Sequence, residues 1–156
     1  MNTPNIVFVA AVLAASLALT STEAAAQAGA AAICKAAEQH YVAIRANDLD
    51  TVLQQHVPEF THFTSEGGLL ESYESVDQQR TAFTEVTYTS NTDIRHCSAQ
   101  LYGDVGIATY YLVGSVTVGS NTTSGTWRVT EVWVRQGNAW REAHHHESPL
   151  LGAAGP

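Results

Sequence analysis

Positive charge is scarce in this chain. One lysine, Lys35, and six arginines face fifteen acidic residues, for a net charge of −8 at pH 7, and no two basic residues are adjacent. Nucleic acid and anionic membrane surfaces are bound by clustered Lys and Arg that displace counterions, so both are excluded as partners. No apolar run reaches the ~20 residues a membrane-spanning helix needs. The longest, Ile6 to Leu19, has 14 residues. A glycine-rich phosphate loop, a nucleophile elbow and a Cys-x-x-Cys pair are all missing. Neither of the two cysteines, Cys34 and Cys97, sits in a recognisable nucleophile motif.

Apolar residues make up 45% of the chain and charged residues 14%, over 156 residues. That is the composition of one globular domain. The Ile6–Leu19 run is followed by small residues with Ala-x-Ala sites at Ala24–Ala26 and Ala26–Ala28. Residues 1–28 are therefore expected to be a secretory signal peptide cleaved after Ala26 or Ala28, although Met1 to Asn5 carries no Lys or Arg. An uncleaved anchor is the alternative. Loss of Glu23 with the leader leaves fourteen acidic and seven basic residues, a net charge of −7. The expected location is periplasmic or secreted, with no membrane contact after cleavage.

In an oxidising compartment two cysteines in a small domain are expected to pair as Cys34–Cys97. The closed loop of about 64 residues would contribute roughly 4 kcal/mol. Two buried, inert thiols are the alternative.

Ile33, Ala37, Tyr41 and Ile44 recur at helical spacing, so Ala30 to Ala46 reads as an amphipathic helix. Asp48 is the expected N-cap of a second helix carrying Leu49, Val52, Leu53 and Val57, ended by Pro58. Phe60–Thr64 and Leu69–Ser72 read as short strands joined by Ser65-Glu66-Gly67-Gly68. A third helix is expected from Ser75 to Phe83, with Ser75 and Gln78 placed for a capping box. After Ser90 the pattern alternates. Thr92–Tyr102 and Val105–Val118 flank a Gly103-Asp104 turn, which puts Arg95, Cys97, Ala99, Leu101, Ala108, Tyr110 and Leu112 on one face. Gly119–Gly125 reads as a polar loop. Thr126–Arg135 and Ala139–Glu147 then form a second hairpin around Gly137-Asn138. Helices followed by a mostly antiparallel sheet define an α+β domain.

Asp48-Leu49-Asp50, the Gly67-Gly68 hairpin, Gly103-Asp104-Val105 and Trp140-x3-His144-x-His146-x-Ser148 occur in this order along about Ile33 to Ser148. In that order they resemble nuclear transport factor 2-like proteins, most of all the SnoaL-like branch and the association domain of calcium/calmodulin-dependent kinase. The resemblance implies a conical barrel of three N-terminal helices packed in a strongly curved, mostly antiparallel sheet over residues 29–148. A flexible tail would follow at 149–156. It also implies a homodimer and a pocket for a small-molecule ligand.

Strand alternation places Trp140, Glu142, His144 and His146 on one face and Arg141, Ala143, His145 and Glu147 on the other. His144 and His146 are the candidate catalytic bases, and a structural role for both is the alternative. Tyr110, as a hydroxyl donor, Arg128, as a carboxylate anchor, Glu131 and His62 are the candidate ligand-binding residues. Arg128 and Glu131 fall on opposite faces by parity. Metal is not expected at His144 and His146, because a tetrahedral site needs further ligands that the spacing does not supply. No cofactor is expected. Spacing fixes no acid-base pair, so the sequence favours an exported ligand-binding domain. An isomerase, cyclase or dehydratase moving a proton on a small apolar or carbonyl substrate is the alternative.

Overall fold

A computed structural model of the chain describes residues 7–64, 67–85 and 88–151. The start of the expected leader (1–6), Ser65 and Glu66 of the expected turn, and most of the expected tail (152–156) lie outside them. Helix α1 is continuous over Val7–Arg45 and therefore runs through the expected cleavage region. Helix α2 spans Leu49–Gln55, strand β1 His56–Phe63, β2 Glu71–Ser72 and helix α3 Val76–Glu85. Strands β3 (Tyr88–Tyr102), β4 (Val105–Val118), β5 (Asn121–Gln136) and β6 (Ala139–Pro149) follow. Among the described residues no helix is long and apolar enough to cross a membrane.

The Asp48 and Ser75 caps form, but the reciprocal half of the expected capping box reaches the Glu74 amide instead of that of Ser75. The Asp48 carboxylate accepts from the Thr51 amide at 3.1 Å. Ser75 Oγ accepts from the Gln78 amide at 3.3 Å, while Gln78 Oε1 accepts from the Glu74 amide at 2.7 Å. Each such cap supplies a partner for helix-end amides and stabilises by about 1 kcal/mol. Pro58 does not end α2, however. The helix stops at Gln55, and His56 is already extended because its backbone pairs with Glu142 of β6. Pro58, which has no N–H to donate, falls where that pairing is irregular, between His56 and Thr61.

The six strands form one sheet in the order β2-β1-β6-β5-β4-β3, with β1 and β6 parallel and all other neighbours antiparallel. β2 and β3 are its unpaired edges, so the sheet is open and not the closed barrel expected. Among the described residues only α1 and α2 precede the sheet; α3 follows β2. The expected loop at Gly119–Gly125 is strand apart from a two-residue turn, since Val118 already pairs with Asn121. β-branched Val and Thr around the turn favour that extension.

Ile33, Ala37 and Tyr41 of α1 pack on Ala108, Tyr110, Leu112, Val129 and Trp133 of the sheet. Each fully buried apolar side chain of this kind contributes roughly 1.5–3 kcal/mol. Tyr102 pairs with Val105 as the turn predicts, yet Arg95 leaves the expected face. A bulge between Arg95 and Ser98, with His96 at φ 56°, shifts the register by one residue. Arg95 then sits opposite exposed Tyr111, and Cys97 turns toward α1. Cys34 and Cys97 are joined by a disulfide, with their Cα atoms 5.9 Å apart. At Gly114, φ is 152° and an added Cβ would lie 2.1 Å from the Asn91 carbonyl oxygen, so only glycine fits this crossing of β3 and β4.

Candidate functional site

The site is organised by one extra residue in β6. Val132 of β5 pairs with His144 and Trp133 pairs with Glu142, so Ala143 has no partner of its own. A one-residue insertion moves every following side chain to the opposite face. His144 and His146, expected in the pocket with Glu142, therefore point away from the helices. His144 Nδ1 lies 2.8 Å from Thr61 Oγ1, and both rings pack edge-on to Phe63. His145 and Glu147, expected on the opposite face, share the interior with Glu142. Arg128 lies on the outer face between Tyr111 and Ser148 and anchors nothing inside the sheet. Glu131 is on the inner face, as parity requires, and Tyr110 faces inward while Tyr111 is exposed.

Glu131 and Glu142 are completely buried. The Tyr110 hydroxyl donates to one Glu131 oxygen and Trp133 Nε1 to the other at 2.8 Å. His145 sits among three carboxylates: Nδ1 is 3.0 Å from Glu142 and 3.6 Å from Glu131, and Nε2 is 3.4 Å from Glu147. Burial alone would lower the His145 pKa, but its bonds to Glu131, Glu142 and Glu147 outweigh burial and hold it well above 6.5. Burial, and then the Glu142 charge, raise the Glu131 carboxyl. Burial would raise Glu142 too, but His40, His145 and His56 together hold it well below its ordinary value.

The second Glu142 oxygen faces two histidines that the sequence reading did not select. His56 Nε2 lies 3.5 Å and His40 Nε2 3.7 Å from Oε2. Each ring is held from behind by an amide: His40 Nδ1 lies 3.0 Å from Gln55 Oε1, and His56 Nδ1 2.9 Å from Gln79 Oε1. Burial drives the His40 pKa down to about 4, against the pull of Glu142. The signal for His40 was its place on the apolar stripe of Ile33, Ala37, Tyr41 and Ile44. A polar residue there must be satisfied inside the fold.

Between α2, α3 and the inner sheet face lies a cavity of about 870 Å³. His40, His56, Phe60, His62, His145 and Glu147 are among its lining residues. His62, expected to bind ligand, is in register with His145 on the neighbouring strand. Its Nε2 lies 2.9 Å from Glu71, which also accepts from the Tyr73 hydroxyl at 2.9 Å. A carboxylate can only accept, so Nε2 carries the proton and Nδ1 the lone pair in the neutral ring. Burial lowers the His62 pKa and the bond to Glu71 only partly offsets it, so the ring is neutral at pH 7.

A family model described as a SnoaL-like domain matches residues 33–152. No curated protein matches the chain. Among solved structures, an NTF2-like protein of unknown function from Pseudomonas putida is 18% identical, with 82% of this chain and 91% of that one covered at a TM-score of 0.63. A candidate dehydratase of the NTF2-like family from Streptomyces avermitilis is 15% identical, covering 81% and 99% at 0.64. The CaMKII hub of S. rosetta is 20% identical, covering 78% and 96% at 0.60. At these identities the likeness is one of fold.

Proposed function

The chain belongs to the SnoaL-like domain family, and from that membership and the cavity we propose that it binds a small, mainly apolar carbonyl compound and moves a proton on it. The observation that carries this reading is His62: a neutral imidazole in the cavity wall, backed by Glu71 and in register with His145. His62 Nδ1 accepts a proton from the carbon beside the substrate carbonyl. The imidazolium formed is stabilised by Glu71, and returning the proton to another carbon completes an isomerisation. Phe60, Tyr73 and Phe83 supply apolar walls. This replaces His144 and His146, which face outward, as the proposed base.

Solvent-deuterium incorporation beside the carbonyl of cyclic ketones, followed by NMR, tests the assignment. His62→Ala is expected to slow exchange 10²–10⁴-fold, the usual contribution of a general base. In the wild type the rate should fall on acidification below pH 6.5, because burial lowers the His62 pKa beneath that ordinary value. Exchange by His62→Ala at the wild-type rate, or none by the wild type on any ketone, overturns it.

Export and pairing belong to the same proposal. Residues 24–28 are exposed, whereas Gly29 abuts Leu101, so packing of α1 on the sheet begins where the leader would end. The Cys34–Cys97 bridge suits an oxidising compartment. The outer sheet face, with exposed Tyr111 and Val113 beside Arg128, is the proposed homodimer contact. Light scattering on the exported protein should give twice the mass of residues 27–156 or 29–156. The mass of a single chain, or of one retaining its leader, removes the corresponding part.

A further inference from the structure

We propose that His40, His56 and Glu142 form a binding site for a divalent transition-metal ion, zinc fitting best, open toward the cavity. One donor atom from each residue lies within 4.8 Å of the other two, and all three residues are buried. His56 Nε2 and Glu142 Oε2 have no hydrogen-bond partner although both are shielded from solvent. Buried polar atoms without partners are costly, by about 1–3 kcal/mol each. Two of them facing each other call for a shared third body.

The tautomer identifies that body. The Gln79 amide nitrogen donates to the carbonyls of Val57 at 2.8 Å and Pro58 at 2.9 Å. Its oxygen must then accept from His56 Nδ1, so Nδ1 carries the hydrogen and the lone pair of the neutral ring lies on Nε2. That lone pair faces a carboxylate oxygen 3.5 Å away. In the neutral ring two acceptors thus face each other, and a cation between them, either a proton on Nε2 or a metal ion, removes the repulsion. Ligand atoms ~2.0–2.1 Å from a tetrahedral zinc are about 3.4 Å apart. The 3.5 Å and 3.7 Å separations from Glu142 Oε2 to His56 and His40 are close to that value.

The surroundings have the form of a metal site beyond the ligands themselves. Metal-bound imidazoles donate their other N–H to a fixed acceptor, and Gln55 and Gln79 occupy those positions. The other Glu142 oxygen is held by His145 at 3.0 Å. Calcium and magnesium prefer all-oxygen shells, whereas two imidazoles and one carboxylate suit zinc or its neighbours. Three protein ligands leave a fourth position, and His40 and His56 both line the cavity. The site does not depend on His62 acting as a base.

The test uses the mature protein, stripped with a chelator and titrated with zinc and cobalt. One equivalent of zinc should stay through gel filtration and raise the melting temperature by several degrees, and cobalt loaded into the stripped protein should give visible absorption that zinc then abolishes. The double variant His144→Ala/His146→Ala should bind as the wild type does, while His56→Ala should bind at least 100-fold more weakly. Gln79→Leu, which leaves the ligands in place, should lose 10–100-fold. Substoichiometric zinc on the wild type, or unchanged affinity in a folded His56→Ala, overturns the proposal. Should His56→Ala fail to fold, X-ray absorption of the zinc-loaded wild type decides. Two imidazoles with carboxylate oxygen support the site, and any shell with fewer than two imidazoles overturns it.

Discussion

Replacing Cys34 and Cys97 together by alanine lowers the free energy of unfolding by about 4 kcal/mol, the entropy of closing a loop of this length in the unfolded chain. The bridge spans 63 positions and fastens α1 to β3. Whole domains of this size are stable by only about 5–15 kcal/mol, so the loss is a large fraction of the total. The melting temperature should fall by about 10–20 °C. The apolar contact of α1 with the sheet, centred on Ile33, Ala37 and Tyr41, remains intact in the variant, so a cooperative transition should survive. Reduction of the wild type should reproduce the shift. A melting temperature unchanged by both treatments would mean that packing alone holds α1 in place, and the entropic account would fail.

Local signals in the sequence translate faithfully where one residue acts on its neighbours. The Asp48 and Ser75 caps, the Gly103-Asp104 turn and the pairing of Tyr102 with Val105 were legible because each is decided within four residues. Face assignment is different, since it accumulates along a strand. Arg128 and Glu131 kept their expected opposite faces because no bulge separates them. His144, His146 and Arg95 lost theirs to single unpaired residues near Ala143 and His96. Ala143 carries no mark of a bulge: alanine is ordinary in a strand, and the shift arises from how β6 meets β1 and β5 together. The buried cluster was hidden for a related reason. His40 and His56 come from elements about a hundred residues before Glu142, and only the assembled sheet brings the three together.

His145→Leu should be the most damaging single substitution in β6, lowering stability by at least about 3–5 kcal/mol, the cost of breaking a buried ion pair by removing one partner. His145 touches Glu131, Glu142 and Glu147, and all three carboxylates are buried. Leucine fills a similar volume, so the loss is electrostatic and not that of a cavity. His144→Ala and His146→Ala, on the outer face beside it, should each change stability by less than about 1 kcal/mol. Three adjacent histidines thus separate by facing alone. The pH dependence supplies an independent check. Glu131 already has a raised pKa from burial and the Glu142 charge, with His145 opposing the rise. Removing His145 raises it further, so the folded variant binds more protons than the unfolded chain over a wider range above pH 4.5. Stability then falls as pH rises across that range. In the wild type the raised His145 pKa contributes stability that is fully present below pH 6.5 and lost as pH rises above it, so the deficit of His145→Leu, measured by urea denaturation, should vary with pH. A deficit that is constant with pH would show that the imidazole fills space and does not balance charge.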